Sequence, residues 1–188
     1  MNYSVNHNQN LLREYWYRVP FLIVYYTIAQ FLPNSTFPLF GKVGKWCRYF
    51  CCKHIFDYCG KNVNIERRVL FGSGFRIKIG DNSGIGCHST VCSDLEIGDY
   101  VLMGPRCFFL TFNHSYKDRN TTIKSQGYQC RKKTTIGNDV WIGRECLFTP
   151  GRTVADGTVI AARTVVCKNF EPYSIIGGNP SRKIGQRE

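Results

Sequence analysis

The sequence predicts an all-β solenoid, a parallel β-helix led by a helical segment and carrying one projecting loop. Three observations predict it. Every sixth residue is apolar from Ile79 (Ile79, Ile85, Val91, Ile97, Met103, Phe109) and again from Ile136 (Ile136, Ile142, Phe148, Val154, Ile160, Val166). The following residue is glycine in IGDNSG, IGCHST, IGDYVL, MGPRCF, IGNDVW and IGRECL. The rhythm then breaks only once, between Phe109 and Ile136, by a step that is not a multiple of six. With 43% apolar residues, such a run arises by chance in roughly a few per hundred thousand trials of one frame.

Residues 1–58 do not repeat and form the predicted helical or capping segment; residues 59–188 form the solenoid, with a loop at about 110–135 and a C-terminal tail. In the first segment Pro20 and Pro33 bracket the uncharged FLIVYYTIAQFL, which is too short to span a bilayer. One reading is a helix whose apolar face caps the open solenoid end, where strand edges would otherwise be bare. The other is an aromatic helix lying on a membrane, with Lys42, Lys45, Arg48, Lys53, Lys61, Arg67 and Arg68 near anionic lipid.

The repeats themselves cannot be helical. Six residues at 3.6 per turn carry the apolar position around the axis and bury no constant face. They suit a short strand plus a corner, with glycine and polar residues such as GDN and GND supplying unusual backbone angles there. Three hexads close a triangular coil, and coils stack at about 4.8 Å as parallel strands. Each half of the pattern therefore supplies two coils.

A chain of 188 residues has room for one such core. Its 10 cysteines come without a signal-peptide layout, and several occupy small repeat positions, so they are expected to be reduced packing thiols of a cytoplasmic protein. Cys47, Cys51, Cys52 and Cys59 lack paired C-x2-C spacing, so no metal is expected. The net charge of +12 is spread along the chain without a nucleic-acid module. Arg144, Arg163, Lys168, Arg182 and Lys183 suit a phosphate-bearing small ligand, with plain solvated surface as the alternative.

The interrupting stretch, FNHSYKDRNTTIKSQGYQCRKKT, follows the last regular repeat with His114 at its base. Insertions of this length are usually functional or disordered. A histidine held there suits a general base near neutral pH.

The loop histidine, the Val-Trp-Ile-Gly repeat and the Gly-Asn-Pro ending, in that order over residues 59–187, resemble the hexapeptide-repeat acyltransferases. Within them the resemblance is to the maltose and galactoside O-acetyltransferases and their relatives acting on polysaccharide or lipopolysaccharide sugars. It implies a left-handed β-helix, a homotrimer with sites between subunits, and direct transfer from acetyl-CoA to a sugar hydroxyl with His114 as general base. It further implies that Trp141, Gly143, Arg144, Ala162, Cys167, Lys168 and Arg182 line the coenzyme channel, and that His88, Asp94 and Asn113 contact the acceptor. Two departures stand out: Ala161-Ala162-Arg163 replaces Gly-Ala-Gly, and His88 replaces an asparagine. An acceptor on a membrane-bound carrier would place the enzyme at the inner face of the membrane. Two rivals remain: a non-catalytic trimeric interaction module, and a γ-class carbonic anhydrase, whose zinc needs three imidazoles where the solenoid offers His88 and His114.

Overall fold

The computed structural model describes residues 16–188. Two helices precede the strands: α1 (Val19–Thr27) and α2 (Gly41–Ile55). The solenoid then runs through β1 (Tyr58–Cys59) and β2 (Asn64–Ile65), β3 (Ile77–Ile79) and β4 (Gly84–Ile85), and β5 (Leu95–Ile97), β6 (Leu102–Met103) and β7 (Phe108–Phe109). A loop with a one-turn helix α3 (Ile123–Gln126) follows. The coils resume with β8 (Thr134–Ile136), β9 (Trp141–Ile142) and β10 (Leu147–Phe148), then β11 (Thr153–Val154), β12 (Val159–Ile160) and β13 (Val165–Val166). An antiparallel pair, β14 (Ser174–Gly177) and β15 (Arg182–Gln186), ends the chain.

Parallel pairing stacks the coils into three faces. The first face is β1-β3-β5-β8-β11. The second holds β6-β9-β12-β14-β15, with β2 and β4 beneath it, because the Gly84 N–H donates to Val101 O at 2.9 Å. The third holds β7-β10-β13 and, below, bridges from Leu70 to Thr90 to Phe108. The predicted apolar positions all point inward, and Phe109 and Phe148 stack at 4.1 Å across the level of the loop. Ile97 pairs with Ile136, where an uninterrupted coil would offer Ser115, so the loop is a true excursion from the stack.

Two expectations are corrected. Within the expected bounds of 59–188, the stack has one coil more than the repeat counted, below Ile79, since Cys59 pairs with Ile79 and Ile65 with Ile85. Cys59, Ile65 and Phe71 keep the six-residue step, but the next corner contains Gly72 (φ +61°) and Gly74 (φ +70°) and is two residues longer, which hides the repeat. The repeat glycines also serve a different purpose from the one expected. The left-handed backbone falls two residues later, on Asn82, His88, Asp94, Tyr100, Arg106, Asp139, Glu145 and Arg163, with φ between +52° and +63°. The glycines are required by close approach: a Cβ on Gly86 would stand 2.0 Å from Gly104 O, and one on Gly143 2.5 Å from Ala162 N.

The polar corner residues form a ladder. The Asp81 N–H donates to Asp99 Oδ1 at 2.6 Å, Asp99 N–H to Asn138 Oδ1 at 2.8 Å, and Asn138 N–H to Asp156 Oδ1 at 2.6 Å. Corner amides that strand pairing cannot reach are thereby satisfied.

At the open end, α2 is the main cap and was not foreseen as a separate helix. It buries Gly44, Arg48, Cys51, Cys52 and Ile55 against the first coil, and Gly44 is needed where a Cβ would lie 2.5 Å from Pro33 O. Helix α1 is apolar on every side rather than on one face, and only Tyr25 is buried, its hydroxyl donating to Val69 O at 2.9 Å. Among the described residues no helix is long and apolar enough to cross a membrane. Burial pushes the Cys59 thiol up to about 12 and Cys92 to about 11, as suits packing thiols. Among the described residues no three His, Cys, Asp or Glu side chains converge as a metal site.

Candidate active site

His114 lies where the loop leaves the solenoid. Its backbone bridges Tyr128 antiparallel, and its ring packs on the Tyr128 ring at 4.3 Å. Phe112 meets the same tyrosine edge-on at 4.7 Å, the Ser115 N–H donates to Gly127 O at 2.9 Å, and the Gln129 N–H donates to Asn113 O at 2.8 Å. A two-legged ribbon therefore fixes the histidine while leaving it exposed. Beyond it, Asp118 accepts from the Asn120 N–H and the Thr121 hydroxyl, and Gln126 donates back to Asp118 O, which ties off the loop tip.

Asp94 occupies the corner beneath this ribbon. Its φ is +63°, its carbonyl accepts the Thr134 N–H of the returning chain at 3.0 Å, and Oδ1 pairs with Arg76 at 3.1 Å. Asp94 Oδ2 is buried without a hydrogen-bond partner. His88 stands at the next corner, exposed, with φ +59°. Partial burial and the nearby Arg68, Arg67 and Arg106 hold its pKa below the ordinary histidine value.

Of the residues expected at the coenzyme channel, Trp141, Gly143, Arg144, Ala162 and Arg182 lie on the second face and its corner, whereas Cys167 and Lys168 follow β13 in the column from which the loop leaves. Trp141 faces outward, 55% exposed, between Leu102 and Val159 on the second face. Gly143 passes against the Ala162 backbone, and the Arg163 N–H donates to Arg144 O at 2.8 Å. Gly177 lies against Ala161 and pairs with Arg182. Ser181 joins this face to Cys167, whose thiol lies 3.5 Å from its hydroxyl; that contact lowers the Cys167 pKa. Lys168 is exposed, with its ammonium 5.5 Å from the Phe170 ring centre.

Glu145 is the residue that sequence reasoning missed. Its carboxylate sits in a column of left-handed corner residues between Arg106 below and Arg163 above. It binds Arg163 Nε at 2.7 Å, Arg144 Nη2 at 3.2 Å and Arg106 Nη1 at 3.7 Å. Arg163 holds its backbone at φ +62° without glycine, and its side chain is drawn to Glu145. The vertical sequence Arg106, Glu145, Arg163, one residue per coil, was the available signal. The Arg163 guanidinium first, and then that of Arg144, keep the Glu145 carboxyl below its ordinary pKa.

Comparisons with known proteins place this fold among acetyltransferases. No family model matches the chain. The chain is 50% identical over 158 residues to a chloramphenicol acetyltransferase of Klebsiella aerogenes, covering 78% of this chain and 67% of that protein. It is 33% identical over 134 residues to the galactoside O-acetyltransferase of Escherichia coli K12, covering 70% of this chain and 64% of the relative. A solved galactoside acetyltransferase in complex with coenzyme A superposes with TM-score 0.75 at 26% identity, covering 99% of this chain and 84% of that one. The chain belongs to the hexapeptide-repeat acetyltransferases. It spans about two thirds of the length of the two relatives.

Proposed function

We propose that the protein is an acetyl-CoA-dependent O-acetyltransferase that acetylates a hydroxyl of a sugar or glycan precursor. The observation that carries this reading is the separation of two complementary half-sites. His114 stands in the ribbon of the loop with Asn113 beside it, and Asp94 holds the returning end of that loop at Thr134, while Trp141, Gly143, Arg144 and Ala162 lie along another side of the prism. In one chain the contacts of His114 lie within its own loop. Two copies side by side would bring the loop of one to the second face of the next. The reading therefore includes a homotrimer of left-handed coils with sites between subunits.

In the reaction, His114 accepts the acceptor's hydroxyl proton as the oxygen attacks the thioester carbonyl of acetyl-CoA. The new C–O bond forms, the C–S bond breaks, and the imidazolium proton neutralises the departing thiolate. A coil N–H is the natural donor to the developing oxyanion. Lys168 and Arg182 hold phosphate, and Trp141 gives the pantetheine arm a flat wall. Asp94, Asn113 and His88 are the residues assigned to the acceptor.

The 50% identity to a chloramphenicol acetyltransferase favours a second acceptor class, a non-sugar antibiotic alcohol. Release of coenzyme A with galactosides, maltose, amino-sugar glycosides and chloramphenicol as acceptors separates the two. Turnover of chloramphenicol alone would replace the sugar reading. Saturable acetyl-CoA binding, weakened in Lys168→Ala/Arg182→Ala, supports the enzyme; a folded protein that does not bind it is the non-catalytic module instead.

A further inference from the structure

Helix α2 has its surface inverted. Gly44, Arg48, Cys51, Cys52 and Ile55 face the first coil, so the opposite side, at helical spacing, should be polar. It carries Val43, Trp46 and Phe50, which are 53%, 61% and 43% exposed. Trp46 stacks on Phe50 at 5.5 Å, and Phe50 meets Phe21 of α1 at 5.9 Å, so the patch continues onto a helix that is itself apolar all round. Exposed Ile23 and Ile28 extend it.

The charge on this face has one sign. Residues 16–56 contain no Asp or Glu. Arg18 and Arg48 are buried in hydrogen bonds, whereas Lys42 and Lys53 are exposed and Lys45 is half-buried, its ammonium donating to Asn62 Oδ1 at 3.0 Å. Lys42 and Lys45 rim a groove of about 240 Å³ whose walls include Trp46 and Tyr49. A second copy of this chain would bring lysines against lysines across a symmetric contact, which disfavours it. Exposed aromatics set among lysines are the composition of the layer where lipid headgroups meet acyl chains. Neither helix is long enough to cross a bilayer, so the pair would lie on its surface.

We propose that the outer face of α1 and α2 docks on an anionic lipid bilayer, with Trp46 and Phe50 entering the headgroup layer and Lys42, Lys45 and Lys53 meeting lipid phosphate. The docking does not depend on the acyl-transfer reading.

The test is flotation of the full-length protein with vesicles of equal parts phosphatidylcholine and phosphatidylglycerol, and with phosphatidylcholine alone. The expected result is binding to the anionic vesicles that falls with salt, and little to the neutral ones. Reversing Lys42→Glu/Lys45→Glu should weaken it about twenty-five-fold or more, at about fivefold for each lysine near the surface. Trp46→Gln/Phe50→Gln should abolish it with the fold kept by circular dichroism, and Lys53→Glu provides a further variant if either pair fails to fold. Three results would overturn the proposal: no flotation of folded protein, equal binding to neutral vesicles, or unchanged binding in the folded variants. A loss of oligomer mass in Trp46→Gln/Phe50→Gln would assign the face to another protein chain instead.

Discussion

Replacing Arg48 by methionine tests how the helical cap is joined to the solenoid. The Arg48 side chain is fully buried. Its Nε donates to Ile65 O at 2.5 Å, and Nη1 donates to Leu32 O at 3.1 Å and Pro33 O at 3.0 Å, while Nη2 lies 3.6 Å from Glu66. One guanidinium thus connects α2, the interhelical turn and β2. Methionine would leave three carbonyls against an apolar chain, a loss of about 1.5–3 kcal/mol for each bond from a charged donor. Against this stands the cost of burying the guanidinium, several kcal/mol, whose mark is a lowered Arg48 pKa. The net expectation is destabilisation by about 2–4 kcal/mol, measured by urea unfolding at fixed protein concentration. Arg48→Lys should cost nearly as much, because one ammonium cannot reproduce the planar fork. A loss below about 1 kcal/mol, or a gain in stability, would refute the reasoning and make Arg48 an ion that apolar packing replaces without penalty.

His114→Ala should lower kcat by about a hundredfold to ten-thousandfold and leave acetyl-CoA affinity intact, as read by steady-state kinetics and calorimetry. Lys168→Ala and Arg182→Ala should each weaken acetyl-CoA binding about tenfold with kcat little changed at saturation. Gly86→Ala should destabilise strongly, by about 2 kcal/mol or more, because its Cβ would sit 2.0 Å from Gly104 O; Asn82→Gly, at φ +56°, should be nearly neutral in the same unfolding assay. Burial pushes the Glu66 carboxyl up, but hydrogen bonds from the Ser35 hydroxyl and N–H and from Asn64, with Arg48 nearby, hold its pKa below the ordinary value. Its stabilisation is therefore complete above the unfolded carboxylate pKa and is lost as pH falls through the folded one, so Glu66→Gln should flatten the acid limb of stability against pH.

The solenoid was legible because its geometry repeats: an inward position every six residues must be apolar, and after six of the twelve the next residue is a glycine whose Cβ would strike the coil above. The first coil fell within the bounds read for the solenoid, but its hexads were not legible, because two extra residues at the Gly72–Gly74 corner shift its phase and only strand pairing restores it. Helix α2 was missed because the residues on its outer face are as apolar as those on its inner face, which blurs the periodicity on which a helix is recognised. His114 was legible as the polar residue at the point where the rhythm stops. Its bracing by Tyr128, and the Glu145 carboxylate that draws Arg106 and Arg163 from the neighbouring coils, depend on contacts between residues far apart in the chain.

By itself, then, the sequence determined the coil, its inward face and the place of the excursion, because these follow from a local rule applied to every hexad. Only the tertiary structure decided which corner residues stack into columns, which side of the helical cap is left facing outward, and that His114 and Trp141 lie on different sides of one chain. Those relations are set by the number of residues between successive coils, and a single insertion changes them without altering any local pattern.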